Sequence, residues 1–430
     1  MSTQKDKTSE LPAPLRWPIL IFLRYYRNLG LRVSFYVIAS LLILVLNPLA
    51  QGFLSEDLRA TVDADSVLKV LTILASSMLA VSTFSLNIMI TSHRTAATTT
   101  TPRVHRMLLD DTTTQATLAT FIGAFVYSLS SVVLFESGVF DDRAAFVAMV
   151  MTVLVVALVI LAMLRWIEHL SDLGSVDNTL DRVSDETRES LKRLARAPAL
   201  GGAILDDEID IPAGAQPVVA SRSGYIQLID VEGLHAGLHG GGCIYVTHGP
   251  GDHVIKGEVI AHVTDGTRGT TLDAFADCFV IADQRSYEQD PLFGLTVLSE
   301  IASRALSPGV NDPGTAIDVI MRLKALVHGF SSVESPASRP VAPDVFLPAV
   351  RGDALIEAAY GAIARDGART IEVGTTLRKA LADLSQAADE ELRAQAIQTA
   401  RQAMDYAQTA GLTEFEMRRL SAILVPASPH

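Results

Sequence analysis

Charge is scarce in this chain. Only 19% of its 430 residues are Asp, Glu, Lys or Arg, against about a quarter in an ordinary soluble domain. The charge present is mostly negative, with a net of −13, which argues against a nucleic-acid partner. Cysteine is almost missing. Cys243 and Cys278 give no disulfide framework and fit a reducing compartment. Aromatic residues make up 6%, so Leu, Val, Ala, Ser and Thr must do the packing. No nucleophile elbow, P-loop or zinc-protease helix occurs. The chain therefore reads as a non-enzyme with no cofactor.

What it has instead is apolar length. Four stretches crowd the first 164 residues, roughly Val33 to Phe53, Val67 to Ile90, Leu118 to Phe135 and Ala144 to Leu164. About 18 or more apolar residues suffice to cross the hydrocarbon core as a helix. The last stretch, AAFVAMVMTVLVVALVILAML, holds no charge at all. No run of that kind follows it. The expected fold is an α-helical membrane domain of four transmembrane helices, residues 33–164, followed by a mixed α+β cytoplasmic domain. A cleaved signal peptide is not expected, since the first run starts only at Val33 and is itself of spanning length.

Arginine placement orients the spans. Arg16, Arg24, Arg27 and Arg32 precede the first, Arg94, Arg103 and Arg106 follow the second, and Arg165 follows the fourth. The other two connections are acidic, with Glu56, Asp57, Asp63 and Asp65 in one and Asp141 and Asp142 in the other. Lys and Arg accumulate on the cytoplasmic side, so both termini are expected inside, in a cell inner membrane. Residues 1–32, with Trp17, Tyr25 and Tyr26 among basic residues, read as a segment lying in the cytoplasmic interface.

Residues 165–200 read as a helical stalk. Leu173, Val176, Leu180, Val183, Thr187, Ser190 and Leu194 alternate three and four apart, an a/d seam weakened by Thr187 and Ser190. The seam suits self-association, or packing on the stalk's own domain. Residues 215–285 change to short β-like runs that turn like hairpins. Within them, Gly251-Asp252-His253-Val254-Ile255-Lys256-Gly257 resembles the turn of the barrel-sandwich fold of biotinyl and lipoyl carriers and membrane-fusion adaptors. SRSGYIQLID, with Gly224, matches the strand before it. Lys256 sits in a turn and no carrier-type Met-Lys or Asp-Lys hairpin is present, so no swinging arm is expected. In residues 286–330, Asp290-Pro291 and Asp312-Pro313 each place an N-cap acid before a proline, a sharp helix start. A linker from Gly329 to Asp344 precedes a helical C-terminal region, 345–430, with breaks near Gly367, Gly374 and Gly411.

The most specific string is RSYEQDPLFGLTVLSEIASRALSPGVNDPGTAIDVIMRL, Arg285 to Leu323. With SGYIQLID, with TFSLNIMI around Thr83 and with TTPRVHRMLLDDTTTQATLATFIGAFVYSL from Thr100 to Leu129, it resembles a bacterial family of predicted membrane proteins catalogued as a domain of unknown function, DUF2254. The likeness covers most of the chain. The family usually has Ser-Pro-Arg where Thr101-Pro102-Arg103 stands, and Arg-Thr where Arg285-Ser286 stands; both departures are conservative. The resemblance implies an inner-membrane protein and supplies no activity.

Three groups of residues are candidates for a role. In the signature, Arg285, Asp290, Arg304, Asn311 and Asp312 form a charged set at helix starts, where free N–H groups can hold an anion; capping and ion pairing account for the same residues. His235 and His239 stand one helical turn apart near Cys243 and His248, but the following glycines and the lack of a neighbouring carboxylate make them surface histidines and not a metal site. In the spans, Thr72, Ser76, Ala80, Thr83, Asn87 and Thr91 share one face of the second, and Thr120, Ala124, Ser128 and Ser131 one face of the third. Such stripes line a wet path or let helices approach closely. If a pore exists, Glu56, Asp57, Asp63, Asp65 and Glu136 are its outer mouth and favour cations, and Arg94, Arg103 and Arg106 its inner mouth. One four-helix subunit leaves little room for a pore, so the expected form is a homo-oligomer in the lipid bilayer. The alternative is a membrane-anchored scaffold or sensor with no transport.

Overall fold

The computed structural model describes residues 29–51, 62–99, 101, 103, 112–140, 142–172, 175–206, 209–238, 241–264, 271–332 and 340–426. They fall into two units, Met1–Asn178 and Thr179–His430.

The first unit is helical: α1 (Leu29–Gln51), α2 (Ala64–Thr99), α3 (Thr112–Glu136) and α4 (Asp142–Asp172). Three helices are long and apolar enough to cross a membrane, over Ala64–Ser92, Thr113–Glu136 and Ala144–Leu170. The count of four is not reached among the described residues, where α1 contributes only the shorter apolar stretch Val33–Leu42. α3 is the central helix and packs on α1, α2 and α4. Half of its span is buried, against under a quarter for α2 and α4. Small residues allow this closeness. A Cβ on Gly123 of α3 would stand 3.2 Å from Tyr36 Cβ of α1, and Ser40 Oγ donates to the Gly123 carbonyl at 3.0 Å. On the other side Tyr127 fixes α3 to α4, its hydroxyl 3.2 Å from the Ala148 carbonyl and 3.3 Å from Thr152 Oγ1.

The second unit begins with α5 (Val176–Arg196), whose first three residues belong to the first. Its seam is spent inside the unit: Leu180, Val183, Thr187, Ser190 and Leu194 are all buried. The packing alternative therefore accounts for the stripe.

Among the described residues eight strands follow: β1 (Gly202–Ile204), β2 (Gln216–Val219), β3 (Gly224–Ile229), β4 (Ile244–Val246), β5 (His253–Val254), β6 (Val259–Val263), β7 (Phe279–Ala282) and β8 (Ala342–Leu347). Two short helices, α6 (Val231–Gly237) and α7 (Leu272–Ala276), interrupt them. One sheet runs β1-β8-β4-β6-β2 and the other β5-β3-β7. The first glycine-divided run is therefore not a hairpin, whereas the second does fold back, β4 pairing antiparallel with β6 around the excursion to β5. β2 pairs antiparallel with β6, while β3 crosses to the other sheet and pairs with β5 and β7. The strands share one apolar core of Val218, Ile226, Ile244, Val254, Ile260 and Phe275. Gly224 makes the crossing possible: its φ is +146°, and a Cβ there would meet the Ala282 carbonyl oxygen at 2.5 Å.

The expected linker from Gly329 to Asp344 is not all linker, because β8 begins inside it and runs parallel to both β1 and β4. The helices are α8 (Pro291–Ala305), α9 (Pro313–Ser331), α10 (Gly352–Asp366), α11 (Ile371–Leu384), α12 (Glu390–Thr409) and α13 (Glu414–Ser421). Gly367 and Gly411 end helices as expected. Gly374 does not: it lies inside α11, and a Cβ on it would touch Leu420 of α13 at 3.4 Å.

Candidate functional site

On α2 the spacing of Thr72, Ser76, Thr83, Asn87 and Thr91 is realised as a single face, and all five are exposed on the chain. The hydroxyls of Thr72, Ser76 and Thr83 donate to carbonyls of their own helix, at 2.8 Å to Leu68, 3.0 Å to Ile73 and 2.9 Å to Leu79. Among the described residues of the first unit, none packs them away. The third-span stripe behaves in the opposite way. Ser128 and Ser131 are fully buried and donate to the Ala124 and Tyr127 carbonyls; Thr120 is half-buried and donates to Ala116. Thr120 and Ser128 thus do not continue the exposed α2 face.

α2 and α3 run antiparallel, since Leu71 clusters with Tyr127 and Phe135 while Met78 clusters with Phe121 and Ala124. Asp63, Asp65 and Glu136 therefore sit at one end of the unit, all exposed, and Arg94 and Arg103, also exposed, at the other. Glu56, Asp57 and Arg106 lie outside the described residues. Near the arginine end, Asn87 and Thr91 join Phe84, Ile88, Ser92, Thr95 and Leu170 around an open groove of about 350 Å³.

The signature residues build a joint in the second unit. Asp290 is 1% exposed. It accepts from Arg285 Nε at 2.6 Å and from its second terminal nitrogen at 2.8 Å. The same carboxylate caps α8 by accepting from the Phe293 N–H at 3.1 Å. Burial pushes its carboxyl above the usual carboxylate value, and the Arg285 bonds pull it back. The guanidinium lies 5.3 Å from the Phe293 ring centroid. Gly251, the turn glycine of the sandwich pattern, backs directly onto this carboxylate; a Cβ there would stand 2.5 Å from Asp290 Oδ2. The turn and the signature are one construction.

The remaining signature residues are exposed. Asp312 caps α9, accepting from the Thr315 N–H at 3.1 Å and its hydroxyl at 2.6 Å, which holds its carboxyl below the usual value. Asn311 turns the chain into that cap at φ +52°. Arg304 stands in the last turn of α8, where a cation suits the helix dipole.

His235 meets a carboxylate 109 residues away in the chain. Its Nδ1 is 2.5 Å from Asp344 Oδ1 on β8. His248 lies 3.6 Å from Glu258, and His239 is outside the described residues. No group of three or more His, Cys, Asp or Glu stands together among the described residues. Cys278 is chemically quiet: burial, helped by Asp230 and Asp277, pushes its thiol up to about 12.

Several residues went unread in the sequence. Gln289 brackets β3, accepting from the Ile229 N–H at 2.8 Å and donating to its carbonyl at 3.2 Å. Gln227 donates to the Gln284 carbonyl at 2.6 Å. A glutamine inside the apolar run GYIQLID was a legible hint of this. Arg378, buried without an acid, donates to the carbonyls of Leu420, Ala400 and Ile423 and so pins α13 to α11 and α12.

The family model described as predicted membrane protein (DUF2254) matches residues 27–383, so the chain belongs to that family. Uncharacterized proteins of Mycobacterium tuberculosis and Mycobacterium bovis are 28% identical over 381 residues, which covers 83% of this chain and 71% of theirs. No solved structure matches.

Proposed function

We propose that this DUF2254 member is the subunit of a passive pathway for ions or small solutes across the inner membrane. Several copies assemble with their α2 faces turned toward a shared axis, and α1 serves as the fourth span. Both termini and the second unit lie in the cytoplasm, where that unit regulates the membrane part. One observation supports this above the others. Five polar residues share a face of a membrane helix and are exposed on the single chain, while the hydroxyls of the central helix are buried. A polar face against lipid tails gains nothing, whereas a wet axis or a second copy satisfies it.

A second reading is favoured by a different detail. The hydroxyls of Thr72, Ser76 and Thr83 already bond their own helix, so this face needs no water, and the helices then serve as the anchor of a scaffold or sensor. Single cysteines along 72–91 separate the two. In the pathway, positions 72, 76, 83, 87 and 91 react with a membrane-impermeant thiol reagent, and vesicles holding the protein pass a cation- or anion-sensitive dye current. Uniform protection without flux, or a monomer by native mass measurement, leaves the anchor.

A further inference from the structure

The open groove at the arginine end of the first unit is graded along its length. On α2 its lining runs from Phe84 and Ile88 through Thr91 and Ser92 to Thr95, with Leu170 of α4 opposite. Large apolar side chains come first and hydroxyls last, and exposed Arg94 stands where the hydroxyls end. The apolar span of α2 also stops at Ser92, so the change falls where hydrocarbon gives way to headgroups. One polar atom of the lining is left over. Ser92 Oγ is buried and has no hydrogen-bond partner among the described residues. Hydroxyls in membrane helices ordinarily donate to the carbonyl one turn back, as Ser128, Ser131 and Thr152 do. An unpaired one beside a groove is open to an acceptor from outside the chain. The groove is not the exposed stripe itself, because Ile88, Ser92 and Thr95 lie about 150° around α2 from Thr72, Ser76 and Thr83.

These features select one occupant. It is apolar along Phe84 and Ile88, offers an acceptor at the level of Ser92, and carries negative charge at Arg94. Arg94 follows Asn87 by two turns and so stands over that edge of the groove; its planar fork suits phosphate. A phospholipid has chain, ester carbonyl and phosphate in that order. A soluble anion has no use for the apolar stretch, and an apolar helix none for Arg94. We infer that the groove is a site for one anionic phospholipid of the leaflet at the arginine end. The acyl chain lies against Phe84, Ile88 and Leu170, the ester at Ser92, and the headgroup phosphate on Arg94. A zwitterionic headgroup brings an ammonium that needs an acid. α2 has none from Ser66 to Arg94, and Glu168, two residues before Leu170, does not share its face of α4. Basic residues at a membrane surface hold anionic headgroups for the same reason. The site is made within one chain and stands under either reading of the α2 face.

Trp166 reads the site, since it packs with Ile88 and Leu170. The chain has two tryptophans, so W17F leaves Trp166 as the single emitter in the full-length protein. In phosphatidylcholine vesicles, phosphatidylglycerol with brominated chains is expected to quench it saturably, at a several-fold lower mole fraction than brominated phosphatidylcholine. R94Q should bring the two lipids level, and R94K should keep the preference. Equal quenching by the two lipids in the W17F protein overturns the site. A preference that survives R94Q overturns it too, because the headgroup is then held by another base. Should R94Q fail to fold, salt decides in the W17F protein alone: the preference should fall as ionic strength rises, and one indifferent to salt overturns the inference.

Discussion

At the scale of single residues, a threonine packs close against a glycine in the second unit. A Cβ on Gly294 of α8 would stand 2.0 Å from Thr187 Oγ1 of α5. Thr187 is held there by its own bond to the Val183 carbonyl at 2.6 Å, so it cannot swing aside cheaply. G294A is expected to destabilise the seating of α5 by about 1–3 kcal/mol, the usual cost of overpacking. T187A in the same chain should recover part of that loss. Hydrogen exchange in the α5 peptide measures both; unchanged exchange in G294A would show that α5 is seated elsewhere. The threonine was visible in the sequence as a flaw in an apolar seam. Its partner was not, because a glycine in the first turn of a proline-started helix looks like ordinary turn chemistry. Asp290 shows the same limit. Its capping role is local and could be read from Asp-Pro, but its burial depends on Arg285 and on the Gly251 turn 39 residues upstream.

At the scale of elements, starts were legible and partners were not. Helix starts are set within four residues, and Asp290 and Asp312 cap as their Asp-Pro context predicts. The Asp312 cap also carries a pH signature. Hydrogen bonds from Thr315 lower its folded value, so its contribution is complete above the ordinary carboxylate value of about 3.9 and is lost as pH falls through the lower folded one. D312A should speed exchange in the first turn of α9 near neutral pH, by the equivalent of about 1 kcal/mol. That difference should vanish in strong acid, and D312N should keep the cap while losing the pH dependence. Equal exchange in D312A and the parent at pH 7 would dismiss the cap. Strand partners, by contrast, are non-local. The alternation in VVASRSGYIQLID marked two strands correctly, but nothing in a period of two says which sheet each joins. β8 hid in a proline-bearing linker because its neighbours β1 and β4 are contributed from far upstream.

At the scale of the whole molecule, the arginine distribution makes a prediction that no packing detail alters. Arg94 and Arg103 stand at the opposite end of the membrane unit from Asp63, Asp65 and Glu136, and cytoplasmic enrichment of Arg predicts that the arginine end faces inside. A phosphatase fused after Leu164 should be inactive, and one inserted near Asp63 active. The reverse would invert the protein and move the second unit to the other side. The apolar runs made this scale the most legible. Composition alone marks a span, whereas in the pathway proposed above the function of its polar face would depend on further copies of the chain.

The place of β8 between β1 and β4 also sets a clock. Gly202 pairs with Ala342, about 140 residues later in the chain. At the usual synthesis rate of roughly 5–20 residues per second, β1 waits some 7–28 seconds before its partner leaves the ribosome. Meanwhile β4 presents an open edge to whatever strand comes near. The helices α8 and α9 are made inside that interval, and hydrogen bonds within a helix need no distant segment. The signature segment is thus able to fold, cap and grip α5 before the sheet beside it closes. A nascent chain paused in 333–339 would hold a finished helical clamp on an unfinished sheet.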